Sequence, residues 1–88
     1  MNFQDSPLTF PCEFPIKVVG YAGDAFESAV IAIIERHAAG QEPPAITTRH
    51  SRKGNYSSIT ILLQAESRAQ LDAIYQELTA CKEVVMAL

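Results

Sequence analysis

Residues 49–53 read Arg-His-Ser-Arg-Lys, which puts Arg49, His50, Arg52 and Lys53 within five positions. Such a cluster can hold a phosphate, a carboxylate or an acidic partner surface through charge-assisted hydrogen bonds. Arg49, Arg52 and Lys53 are therefore candidate binding residues. Charges at a hairpin tip also keep an edge strand soluble and unpaired, so the cluster has a plain structural reading as well. Gly54 and Asn55 follow and read as the hairpin turn. Beyond them Tyr56, Ser58 and Thr60 alternate with Ile59, Ile61 and Leu63. In a strand this sets a mostly polar row against an apolar one, and the polar row joins the candidate site.

Lys53 and Gly54 echo the opening of the third-strand signature of RNA-recognition motifs, whose aromatics stack bases. The echo stops at Asn55, because the signature needs aromatics at alternate positions and this chain offers only Tyr56, with Tyr21 on the first strand. A second candidate is the loop Gly-Tyr-Ala-Gly-Asp at residues 20–24, with Gly20, Gly23 and Asp24 as its ligand-loop residues. A helix N-terminus beside it would favour an anion. Asp24, however, reads as the helix cap and brings a negative charge to that spot. An acylphosphatase-like site would want an arginine in this loop, and a metal-chaperone site would want paired cysteines; neither occurs. His37 falls on an apolar helix stripe, where a helix-end imidazole suits the local carbonyls better than a catalytic role. Cys12, Cys81 and the two histidines are too dispersed to suggest a metal set, so no metal and no cofactor are expected.

The elements that must carry these residues follow from periodicity. Residues 1–13 hold Pro7 and Pro11 without a sustained period and read as an irregular arm; residues 14–88 read as one domain. Residues 14–22 alternate as a strand, with Ile16, Val18 and Gly20 on one face and Lys17, Val19 and Tyr21 on the other. Over residues 24–37, Phe26, Ala29, Val30, Ile33, Ile34 and His37 form a helical stripe, and Asp24 with Glu27 has capping-box spacing. Residues 45–51 and 56–65 read as strands around the turn. Residues 67–78 read as a helix with Ser67 and Gln70 at its start. Residues 82–88 read as a last strand, with Val84, Met86 and Leu88 on one side. Two helices with one apolar stripe each cover only one side of a sheet. The expectation is an α+β, ferredoxin-like βαββαβ two-layer sandwich with antiparallel sheet order 4-1-3-2 and both helices on one face.

Composition limits the function. Eighty-eight residues, 48% hydrophobic and 19% charged, suit one globular domain. A net charge of −3 argues against nucleic acid as the principal partner. The longest apolar run of the first helix, Ala29 to Ile34, is far short of the roughly 20 residues that span a bilayer, so no membrane partner is expected. The first residues lack a basic and an apolar region, so no signal peptide is read, and free thiols in a cytoplasmic compartment are expected.

The strings FPCEFPIKVVG, IERHAAG, SRKGNYSSITI and YQEL, in that order, resemble the small bacterial YbeD-like proteins over about residues 10–88. The resemblance implies a ferredoxin-like domain similar to ACT regulatory domains, which bind small metabolites and usually work as paired sheets. It supplies no catalytic residues. The ACT ligand loop maps onto residues 20–24, which depart from that loop's proline-glycine pattern. The expectation is a non-enzymatic cytoplasmic regulatory or interaction module that binds a small ligand or a protein partner, as a homodimer. The alternative is weak RNA or phosphate binding through Tyr21, Tyr56, Arg49, Arg52 and Lys53.

Overall fold

The structure is a computed structural model, and it describes residues 9–88. Its elements are β1 (Cys12–Tyr21), α1 (Asp24–His37), β2 (Ala45–His50), β3 (Tyr56–Ala65), α2 (Arg68–Ala80) and β4 (Val84–Ala87). The strands form one antiparallel sheet in the order β2-β3-β1-β4, which is the expected 4-1-3-2 read from the other edge. β1 begins at Cys12, two residues before the expected start, because Cys12 and Glu13 continue the ladder opposite Ala65 and Gln64. The expected N-terminal arm lies mostly outside the described residues.

Alternation along β1 and β3 builds the core. Ile16 and Val18 from β1, with Ile59, Ile61, Leu63 and Ala65 from β3, are buried against Phe26, Val30, Ile33 and Ile34 of α1. Leu71, Ile74 and Leu78 of α2 complete it. Burying each of these large side chains stabilises the fold by about 1.5–3 kcal/mol before chain entropy is counted. α2 starts as its sequence indicates, because the Gln70 N–H donates to Ser67 Oγ at 3.0 Å. The reciprocal arm lands one residue early: Gln70 Oε1 accepts from the Glu66 N–H at 2.8 Å.

Two local expectations are corrected. α1 has Gly23 at its N-cap with no side-chain bond, so Asp24 is the first helical residue and not the cap. In β4 the alternation breaks: Val84 pairs with Gly20 and Ala87 with Val18 on the helix side, whereas Met86 pairs with Val19 on the open side. One extra residue, Val85, forms a bulge between them, so Val84 does not share a face with Met86.

Candidate functional site

The hairpin between β2 and β3 turns earlier than expected. The Ser51 N–H donates to the Tyr56 carbonyl at 2.8 Å, and the Gly54 N–H donates to the Ser51 carbonyl at 3.0 Å. Arg52 and Lys53 therefore occupy the centre of the turn and are exposed. Gly54 follows at φ +75°, a left-handed conformation that an L side chain resists. The Tyr56 N–H donates to Ser51 Oγ at 3.1 Å and closes the loop.

Below the tip, register places the remaining candidates on the open face of the sheet. Tyr56 stands opposite Tyr21 on β1, with ring centroids 5.8 Å apart and planes 30° apart. Ser58 stands between Arg49 and Val19, and Thr60 between Thr47 and Lys17. A shallow cleft of about 170 Å³ lies between β2 and β3; Arg49, Ser51, Tyr56, Ser58 and Val19 are among its lining. The fold thus gathers Arg49, Tyr56 and Ser58 at one cleft, with Tyr21 beside it, Arg52 and Lys53 above and Thr60 one row below. His50 and Ser57 also border the cleft, but the His50 side chain does not share the open face. Strand alternation turns it to the helix side, where its Nδ1 and the buried Ser57 hydroxyl are hydrogen-bonded at 2.8 Å.

The electrostatics of this face differ from those of the chain as a whole. Lys17, Arg49, Arg52 and Lys53 lie on the open face or its tip, and none forms an ion pair among the described residues. Glu13, at the far end opposite Gln64, is the single described Asp or Glu side chain of this face. Asp24, Glu27, Glu35, Asp72 and Glu77 lie on the helices, and Glu42, Glu66 and Glu83 in adjoining loops. The exposed Tyr21, Tyr56, Leu62, Met86 and Leu88 add apolar surface to the same side.

The loop at residues 20–24 sits beside this tip, tied by the Ala22 N–H to the Asn55 carbonyl at 3.1 Å. The two sequence-predicted clusters are therefore neighbours at one end of the sheet. Gly20 is buried on the helix side, and a Cβ there would press into the Phe26 ring and the Glu83 carbonyl. Its glycine is required by close packing of α1 and the β4 entry. Gly23 and Asp24 are exposed at the start of α1.

At the other end of the helices lies a group that sequence spacing could not reveal. Glu77 of α2 bridges Arg36 through Oε1 and His37 through Oε2, both on α1. The Arg36 hydrogen bond, seconded by that of His37, holds the Glu77 carboxyl below its ordinary range. Gln70 Nε2 donates to the His37 carbonyl at 2.8 Å and to Gln41 Oε1 at 2.6 Å. With one oxygen engaged by the Arg36 guanidinium and the other by the His37 ring, Glu77 is suited to bracing the helix pair rather than to accepting a proton. Forty residues separate Glu77 from His37, and only the facing of the two helix stripes hints at the meeting. Cys12 and Cys81 are free thiols. Among the described residues, no group of three or more His, Cys, Asp or Glu side chains is placed to hold a metal ion.

Known proteins agree with this architecture. A family profile described as "Protein of unknown function (DUF493)" matches residues 5–88. The chain belongs to the DUF493 family. Among its relatives, a UPF0250 protein of Ectopseudomonas mendocina is 43% identical over 88 residues, covering 99% of this chain and 96% of that protein. A UPF0250 protein of Neisseria meningitidis is 43% identical over 83 residues, covering 94% and 91%. These small bacterial proteins bear out the YbeD-like resemblance. The solution structure of protein HP0495 from H. pylori superposes with a TM-score of 0.78 at 17% identity, covering 99% of this chain and 91% of that one. That likeness supports the ferredoxin-like fold alone. Membership of DUF493 carries no activity with it, so function is argued from the surface.

Proposed function

We propose that this DUF493 chain is a non-enzymatic cytoplasmic interaction module that docks an acidic surface of a protein partner on its open sheet face. Arg49 is the anchor, Tyr21 and Tyr56 are the aromatic contacts, and Arg52 and Lys53 form the rim. The observation that carries this reading is the separation of charge: Lys17, Arg49, Arg52 and Lys53 share one side, while eight of the nine described Asp and Glu side chains sit on the helices or the loops beside them. Tyrosine and arginine are the residues on which interface energy concentrates, and a cationic face steers an acidic partner toward itself. The free thiols Cys12 and Cys81 suit a reducing compartment. Docking of this kind would regulate the partner without turnover, in an ACT-like manner. A small metabolite at residues 20–24 is the weaker form of that idea, because close packing already explains Gly20.

A capture experiment tests it. Wild-type protein immobilised in native lysate should retain acidic proteins that elute with salt. The Arg49→Glu/Arg52→Glu/Lys53→Glu variant, folded by circular dichroism, should lose them; equal retention by both would refute the reading. The Tyr21–Tyr56 pair favours one second reading, single-stranded RNA stacked on those rings. Amide-shift titrations with oligouridylate and with a polyglutamate peptide separate the two. Shifts at Tyr21 and Tyr56 with the oligonucleotide alone would replace the protein partner by RNA.

A further inference from the structure

The open face carries an apolar strip as well as charge. From the hairpin end downward, Tyr56 pairs with Tyr21, Val19 with Met86 and Lys17 with Leu88, and Leu62 stands between Ala45 and Pro15. Tyr21, Tyr56, Leu62, Met86 and Leu88 are 39–63% exposed, so the strip belongs to the surface and not to the core. Contiguous exposed apolar surface marks an interaction site. The charged margin of this strip is one-sided. Arg49 stands on β2 with Arg52 and Lys53 above it, whereas β4 carries no charged residue. Lys17 lies within the strip, where its aliphatic stem can rest on apolar surface while the ammonium reaches water or an acidic group.

The strip limits the shape of what covers it. Peptide groups in a sheet pair within its plane, so this face offers a partner side chains alone. An extended peptide laid along the strip would leave its own N–H and C=O groups against apolar side chains. A helix has already paired its peptide groups internally. From Tyr21 to Pro15 the strip runs six residues along β1, about 20 Å. A helix of about 14 residues has that length, and its width of about 10 Å covers two strands.

We propose that the partner presents an amphipathic α-helix of about four turns to this face. Its apolar stripe covers Tyr21, Val19, Met86, Leu88 and Leu62, and its acidic residues gather on the flank above β2, facing Arg49. The inference rests on the docking reading and names the element that docks. The helix forms a third layer, on the side of the sheet opposite α1 and α2. Acidic residues on its other flank, above β4, would meet no charged residue of that strand. A helix acidic on one flank therefore fits better than one acidic all round.

Lactam-bridged helical peptides of about four turns test the proposal. One carries leucines at i, i+3, i+4 and i+7 with glutamates on one flank; a second has the same composition scrambled so that no stripe remains; a third has lysine for each glutamate. In amide-shift titrations of the wild-type protein, the first should shift Val19, Leu62, Met86 and Leu88 together with Arg49. It should bind at least about tenfold more tightly than the other two. Leu62→Ser/Met86→Ser, both at exposed positions, should keep its circular dichroism spectrum and bind the first peptide about tenfold more weakly. The same variant should bind a polyglutamate peptide as wild type does. Equal binding of the first and scrambled peptides, or a first peptide that leaves Leu62 and Met86 unshifted, would overturn the helix. Polyglutamate shifts at Arg49 would then keep the docking reading standing, and their absence would remove both. Shifts at Leu62 and Met86 that follow protein concentration without peptide would assign the strip to a second copy and also overturn the proposal.

Discussion

Gly20 marks where the packing of the domain is tightest, because the Phe26 ring of α1 and the Glu83 carbonyl before β4 converge on the space a side chain would fill. Neither neighbour is a flexible side-chain end that can swing clear. Gly20→Ala should therefore destabilise the protein by about 1–3 kcal/mol, the usual cost of overpacking a core. Urea denaturation is the measurement; an unchanged midpoint would show that Phe26 moves aside. A sequence reader sees Gly20 first as a loop glycine near a helix N-terminus, because nothing local distinguishes conformational need from lack of room. Ser58 and Thr60 were legible for the opposite reason: strand alternation fixes their facing without knowledge of any neighbour. Arg49 and His50 fall between, since the sequence marks them as one cluster and only the pleat separates them.

Among elements, the two helices are joined by more than their apolar stripes. Glu77 ties α2 to Arg36 and His37 near the end of α1, and the carboxyl is held below its ordinary value of 4.5 mainly by Arg36. A depressed carboxylate adds stability that is present above the unfolded-state value and is lost as pH falls through the folded-state value. Glu77→Gln should thus melt at a lower temperature than wild type near neutral pH. The gap should close as pH falls below 4.5 and through the folded-state value. Melting curves recorded across that range check it, and a gap that persists at the acid end would assign the effect to packing. Element order, both helix stripes and the Ser67 start were legible, because each depends on residues within a few positions. The ion bridge was not, because it depends on how two distant stripes rotate toward each other.

The whole molecule is an uneven charge distribution whose net value conceals a cationic side. Its extents are 39 × 29 × 21 Å, and at 0.1 M salt electrostatic influence decays over roughly 10 Å. A surface that meets the open face therefore senses Lys17, Arg49, Arg52 and Lys53 much more strongly than the carboxylates behind the sheet. Despite a net charge of −3, the protein should be retained by a cation exchanger at pH 7 and low salt. The Arg49→Ala/Arg52→Ala/Lys53→Ala variant should flow through. Retention of both, or of neither, would show that the separation of charge is too weak to steer an encounter. From the sequence, the acidic balance argued against nucleic acid as the principal partner. Counting charges cannot say on which side of a sheet they fall.

The bulge at Val85 also separates chain length from side-chain facing. Take that residue out of the ladder, and Gly20 still stands opposite Val84, Val19 opposite Met86 and Val18 opposite Ala87, now in unbroken alternation. In most strands a change of one residue turns every following side chain inside out. Here the sheet holds a spare position, so a natural deletion could be absorbed within a strand, with the same residues still inside.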